Sequence, residues 1–325
     1  MPARSLDDQL TKYLTDAHCI ERQALVQMKL APRIAADPEI GRAFSEHRAQ
    51  TEEHERAIAA RLHDRGAEPS AVKDALGALT GVGFGAFAAA QPDTPGKLVV
   101  HAYSYEHMEE AAYDMLARVA DRAQDRATAS TARTIEGQER EMGERLERCF
   151  DDAVGATLRE SGPADLDAQL DRYLSDAHAI EAQALVLLGR GPKLAGTHEL
   201  AEAYEQHREQ TTEHQRLVAE RLAARGASPS KIKDAALALG GMNWGAFFAA
   251  QRDTPAKLAA FAYAFEHLEI AAYELLARVA QRAGDQGTVE MAHGILVQEH
   301  DAAHHVRAGF DGALQASLGA VGAIA

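Results

Sequence analysis

Apolar residues recur along this chain at steps of three and four, the spacing that lines one face of an α-helix. Leu6, Leu10, Leu14, Ala17, Glu21, Leu25 and Met28 share such a face, and the pattern predicts a first helix that stops near Pro32. Asp37-Pro38-Glu39 then combines a capping side chain, a proline suited to the first helical position and an early acidic residue. A second helix opens there and runs to about Arg65, ending at Gly66, with Phe44, His47, Thr51, His54, Ile58 and Leu62 on its inward period. The third opens at Thr94-Pro95 and turns Leu98, Ala102, Tyr105/Glu106, Glu109, Tyr113 and Leu116 to one side. A fourth follows a turn near Asp125, with Ala132, Ile135, Glu139, Met142, Leu146 and Phe150 inward. The first and third connections are short and force antiparallel neighbours, whereas the second takes about 28 residues, Gly66 to Asp93. That crossover is expected to hold a short helix from Ser70 to Leu79 and then a glycine-rich run through Phe84 to Ala90.

The whole pattern is written twice. The segment Leu10 to Glu21 returns as Leu170 to Glu181, an offset of 160 that also maps His54 to His214, Asp93-Thr94-Pro95 to Asp253-Thr254-Pro255 and Glu106-His107 to Glu266-His267 without a gap. About 75 of 150 paired positions are identical, and a period this long is a whole domain, not a solenoid unit. The expectation is an all-α protein of two tandem four-helix bundles, residues 1–160 and 161–325, with a linker at Arg159 to Ala164.

Composition narrows the partners. With 34 Lys+Arg against 49 Asp+Glu the chain carries a formal charge of −15, which argues against nucleic acid, whose binders present a basic face. Two cysteines, Cys19 and Cys149, build no disulfide framework, and the other repeat has Ala179 and Gly309 in their places, so whatever both repeats do is done without thiols. An acidic N-terminal stretch without a signal-peptide core leads us to expect a cytoplasmic protein. The longest weakly polar stretch, Ala75 to Ala90, is interrupted by four glycines and is too short for a bilayer, so no membrane is expected either.

The inward faces carry the chemistry. Glu21, Glu106, Glu109 and Glu139 sit mid-helix where the core should be apolar, and Glu181, Glu266, Glu269 and Glu299 repeat them. A buried carboxylate without a partner takes up a proton, a cation or a metal, and lysines and arginines are too few on those faces to neutralise four per repeat. Divalent metal does so directly, with His54 and His214 adding an imidazole from the second helix. Glu106 and Glu109 are three residues apart, about 4.5 Å of rise on nearly one face, so both reach one metal pair. His47 stands seven residues before His54, about 10.5 Å along the axis and too far for both to bind one ion, which assigns it to the surrounding shell or the core. His18 and His178, and His107 and His267, are expected beside the site instead of in it, and Tyr113 and Tyr273 as packed tyrosines with satisfied hydroxyls. The cluster His293, His300, His304 and His305 reads as a solvated face.

Glu106-His-Met-Glu-Glu-Ala-Ala-Tyr113 and Glu266-His-Leu-Glu-Ile-Ala-Ala-Tyr273 resemble the third-helix signature of the YciE/YciF family of ferritin-like proteins. Asp16 to Gln23 resembles its first-helix motif and His47 to His54 its second, so the resemblance covers nearly the whole of each repeat. It implies a ferritin-like bundle, a dinuclear iron-type site and a role in stress response; the Glu-x-x-Glu is also similar to rubrerythrin, which implies reduction of peroxide or dioxygen. Two departures stand out. Thr51 and Thr211 occupy the place of the glutamate in the ferritin Glu-x-x-His pattern, and Met142 and Ala302 stand where a further helix-four ligand belongs.

The leading expectation is therefore a carboxylate-bridged dinuclear centre, iron or manganese by ligand type, that reacts with dioxygen or peroxide as a ferroxidase or peroxide reductase. Its ligands would be Glu21, His54, Glu106, Glu109 and Glu139 in one repeat and Glu181, His214, Glu266, Glu269 and Glu299 in the other, so bound cations offset part of the −15. Two other readings compete with it: a metal-free helical interaction module with protonated inward glutamates, and an oxygenase of an organic substrate with Phe84 or Trp244 on a pocket wall. The two copies are expected to pack as an internal pseudo-dimer, with further homo-oligomerisation open, and the apolar C-terminal tail Gly319 to Ala325 to fray.

Overall fold

A computed structural model describes residues 5–71, 94–161, 166–230 and 253–324. The short crossover helix, the glycine-rich run, Phe84, Trp244 and the linker residues 162–164 lie outside the described residues. The chain divides into two compact units, one of residues 1–160 with 321–325 and one of residues 161–320, and among the described residues the regular structure of each is all helical.

In the first unit, α1 (Leu6–Ile34) starts from a capping box in which Ser5 and Asp8 satisfy each other's backbone N–H groups. Helix α2 (Pro38–Asp64) starts from Asp37, whose carboxylate accepts from the backbone of Glu39 and Ile40, and stops at Gly66 with φ +68°. Helices α3 (Thr94–Arg122) and α4 (Arg126–Arg148) are joined by a tight turn whose Asp125 caps α4 through the Thr128 N–H and hydroxyl. Around a core that includes Leu10, Leu14, Ile58, Leu62, Leu116 and Leu146, α1 packs on α2 and α3, and α4 on α2 and α3, closing a four-helix ring.

Arg65 reveals why the second connection is long. At the end of α2 it binds Asp7, at the start of α1, at 2.8 Å and Asp125, between α3 and α4, at 3.0 Å. The end of α2 therefore lies beside the end of α3. The two helices run parallel, and the chain must travel the length of the bundle to start α3.

Three boundaries differ from the periodicity. Helix α1 passes through Pro32 to Ile34, because the buried face continues through Met28, Ala31 and Ala35 and one lost backbone hydrogen bond near a helix end is tolerable. The fourth helix breaks at Cys149, and Phe150 begins a separate α5 (Phe150–Ser161) that remains buried at Phe150 and docks on the start of α3, where the Thr157 hydroxyl accepts the Gly96 N–H at 3.0 Å. Arg159 to Ser161, assigned above to the linker, belong to this helix.

The second unit repeats the plan with α6 (Leu166–Leu188), α7 (Gly191–Leu194), α8 (His198–Ala224), α9 (Thr254–Ala283), α10 (Gln286–Ala308) and α11 (Phe310–Ala320). Gly189 and Gly191 split what is one helix in the first unit into α6 and α7, as glycine disfavours the helix interior. Arg225 repeats the staple of Arg65 on Asp167, Asp171 and Asp285. Among the described residues no helix is long and apolar enough to cross a membrane.

Candidate metal centre

Four helices each send polar side chains into the middle of the first bundle: Glu21 from α1, His47 and His54 from α2, Glu106 and Glu109 from α3, and Glu139 from α4. All six are at most 3 % exposed. They form two overlapping groups, His47, Glu106, Glu109 and Glu139 on one side and Glu21, His54 and Glu139 on the other, in each of which one donor atom per residue lies within 4.8 Å of the rest. Glu139 belongs to both, with Oε2 at 3.1 Å from His47 Nε2 and Oε1 at 2.8 Å from His54 Nδ1. The second unit reproduces this with His207, Glu266, Glu269 and Glu299 beside Glu181, His214 and Glu299.

All ten residues singled out from the sequence come together, and the structure adds His47 and His207 to them. Assigning His47 to the surrounding shell assumed that both imidazoles must serve one ion. Seven residues apart on α2, with ring centroids 6.3 Å apart, they instead face the two ends of the Glu139 carboxylate, one in each group. The signal was present in the sequence as Gln50 and Gln210, the residues three after these histidines. The Gln50 side-chain oxygen sits 3.1 Å from His47 Nδ1, and Gln138, on α4, holds His54 Nε2 in the same way at 2.8 Å. Gln210 and Gln298 do so for His207 and His214. Each ring thus spends its outer N–H on a glutamine and keeps its inner nitrogen for the carboxylate cluster, the arrangement that orients an imidazole toward a metal.

Several inner atoms have no aligned hydrogen-bond partner: both oxygens of Glu109 and of Glu139, one oxygen of Glu21, His47 Nε2 and His54 Nδ1, and their counterparts in the second unit. Tyr113 and Tyr273 donate their hydroxyls to Glu21 and Glu181, so these tyrosines are both packed in the core and bonded to a candidate ligand. Thr51, in place of the expected glutamate, returns its hydroxyl to the His47 carbonyl, as Thr211 does to that of His207.

Electrostatics shows the crowding. Burial, and then the charge of Glu139, pushes Glu21 and Glu109 well above the ordinary carboxylate range. Burial also raises Glu106 to about 7, although the adjacent His47 pulls it down. Burial acts to raise Glu139 as well, but the close approach and charge of His47 and His54 outweigh it and bring that carboxyl down to about 2. For His47, burial opposes the charge and Glu106 and Glu139 overcome it, holding the ring proton well above the usual imidazole range. In the second unit His207 is raised to about 10 by the same balance, with Glu181 and Glu269 pushed well up by burial and the charge of Glu299. Such a cluster holds protons at neutral pH that a divalent cation can displace.

The remaining histidines lie outside both groups. His18 faces Glu55 at 3.2 Å, His107 is held by the buried Glu110 at 2.9 Å, and His267 donates to the Tyr263 carbonyl at 2.7 Å. His293, His300, His304 and His305 are exposed and form no metal-type group among the described residues.

The family model described as "Domain of unknown function (DUF892)" matches residues 5–159 and again residues 165–318. The chain therefore belongs to this family, twice over. No curated protein and no solved structure matches it.

Proposed function

We propose that each repeat of this DUF892 family member holds a pair of divalent metal ions, iron by preference and manganese by the same donor chemistry, and that the pair reacts with dioxygen or peroxide. The observation that carries this reading is the orientation of the histidines: in both repeats the outer ring nitrogen is bound to a glutamine and the inner one is aimed at buried carboxylates. The charge balance agrees. Four carboxylates per repeat match the charge of two divalent ions when both imidazoles are neutral. His47, Glu106 and Glu109 would hold one ion, Glu21 and His54 the other, and Glu139 would bridge them. This is the donor set of four carboxylates and two histidines that the resemblance to ferritin-like proteins of the YciE/YciF type calls for.

The metal pair would supply the electrons for reducing dioxygen or peroxide. The chain's own residues prepare its surroundings. Tyr113 fixes one oxygen of Glu21 and leaves the other to ligate, Gln50 and Gln138 set the ring tautomers, and the buried apolar core on the helices that carry the site, Leu14, Ile58 and Ile135 among it, keeps bulk water away. A ferroxidase or peroxide-reductase role in oxidative stress follows from that chemistry.

The test is metal content. Full-length protein stripped of metal and given Fe(II) without oxygen is expected to retain about four ions per chain and to consume oxygen on exposure to air, whereas Glu21→Ala with Glu181→Ala loses most of both. Retention of less than about one ion per chain, unchanged by those substitutions, overturns the reading. The close approaches of His47 to Glu106, 3.0 Å, and to Glu139 support the rival metal-free module. That reading expects a melting temperature indifferent to chelator and a protein stabilised by Glu109→Leu.

A further inference from the structure

The two repeats share their metal ligands but not the walls around them. On the side of His207 and Glu266 the second unit contains two small cavities, and Tyr204 and Glu266 border both. One, of about 20 Å³ for the centre of a water-sized sphere, is walled by apolar side chains including Leu187, Phe261 and Phe265. The other, of about 30 Å³ by the same measure, lies against His207 and Gln210 and is bordered toward the surface by Asp301, Ala302 and His305. Each has room for one or two water-sized molecules. Tyr204, which borders both, carries a hydroxyl with nothing to bond. Tyr204 is 2 % exposed, and its oxygen has no hydrogen-bond partner.

The first repeat is built otherwise at the same positions. Phe44 replaces Tyr204, so the hydroxyl is missing. Met142, buried, replaces Ala302, and Glu46 and Arg145, paired at 2.8 Å, replace Gln206 and His305 across the outer end. Gln27, His101 and Tyr105 stand where the second repeat has Leu187, Phe261 and Phe265. Tyr105 spends its hydroxyl on the Ile20 carbonyl, at 3.0 Å. At these positions the first repeat carries a larger side chain and the Arg145–Glu46 ion pair, where the second carries Ala302, Gln206 and a His305 that lies 3.5 Å from Asp301.

We propose that the second repeat is the one built to admit a small oxygen- or nitrogen-ended ligand of two or three heavy atoms to its metal pair, and that the Tyr204 hydroxyl donates the hydrogen bond that holds it there. The inference rests on the metal reading above. A buried hydroxyl left without a partner costs free energy, and a bound acceptor removes that cost. Tyrosine is a donor at neutral pH, and the carboxylates that border the cavities repel a free anion unless a metal ion compensates. The class of ligand is therefore dioxygen, peroxide or a small metal-bound anion, with the apolar cavity admitting its uncharged form. Larger organic molecules exceed the space.

Azide, a three-atom metal ligand, serves as the probe. Full-length iron-loaded protein is titrated with azide by absorbance, with iron measured in the same samples. The expected result is a tight phase of about half the total amplitude, belonging to one repeat. Tyr204→Phe weakens that phase about tenfold, the worth of one hydrogen bond, while Ala302→Met abolishes it, and neither changes the iron content. Tyr204→Phe installs the residue the first repeat already carries, so it is compatible with the fold. Full iron with azide affinity equal in both repeats, or unchanged by both substitutions, overturns this inference alone. A chain that retains no iron overturns the metal reading instead, and elemental analysis separates the two outcomes.

Discussion

Glu106 and Glu139 show how one cluster sets two carboxylates against each other. With its carboxyl raised to about 7, Glu106 binds a proton more tightly in the folded chain than in the unfolded one, whose value is near 4.5. Its contribution to stability is complete below that unfolded value and is lost as the pH rises through 7. Glu21 and Glu109, also raised by burial, lose their contribution in the same direction as the pH rises. Glu139 has the opposite sign: lowered to about 2, it contributes above the ordinary range and fails only as the pH falls through 2. Between mildly acid and mildly alkaline conditions the raised groups decide, so metal-free protein loses stability as the pH rises. On the proposed metal reading, bound metal replaces their protons and removes that loss. The gap in melting temperature between metal-loaded and chelator-treated protein is therefore expected to widen from about pH 5 to about pH 8, with protons released on metal addition. A gap constant over that range, measured by scanning calorimetry, contradicts the assignment. At this scale the carboxylates were legible because each sits at an inward period position and recurs 160 residues later. His47 was not, since spacing along one helix says how far apart two side chains are but not that a bridging carboxylate from another helix joins them.

The helices themselves were legible wherever a cap or a glycine marks their ends. Asp37, Asp125 and Gly66 act where the sequence places them. The helix ends at Cys149 and beyond Pro32 have no such marker and depend on which neighbour a buried face meets. The turn between the first two helices of each repeat offers a comparison built into the chain. Gly196 occupies the left-handed region at φ +75°, and a Cβ there would meet Pro255 Cγ at 2.6 Å. Its counterpart Ala36 takes the same region, φ +52°, with a side chain that disfavours it. Ala36→Gly is expected to stabilise the protein by about 0.5–1 kcal/mol, the steric relief less the backbone freedom gained by the unfolded chain, and Gly196→Ala to destabilise it by more than that. Urea midpoints measure both. A loss of stability in Ala36→Gly would show that the strain is absorbed elsewhere in the turn.

Duplication gave the molecule two sets of buried His/Glu groups, and among the described residues each set draws on the helices of one unit. That separation has a measurable consequence, because sites without shared partners behave additively. Glu139→Gln is expected to remove the metal of the first repeat and leave about half of the wild-type content, Glu299→Gln to do the reverse, and the double variant to keep essentially none. Glutamine preserves the shape of the side chain but removes the charge that bridges the two histidines, so the bundle is expected to stay folded while the site loses the group common to its two halves. Circular dichroism checks the first point and elemental analysis the second. If either single substitution empties both repeats, the ligand sets are coupled, and a chain whose wall residues have diverged between repeats could not run its two centres separately. If each empties only its own, evolution had one ready centre free to change its surroundings while the other stayed as it was. The exchange of Phe44 for Tyr204, and of Met142 for Ala302, around unchanged glutamates is what that freedom would produce.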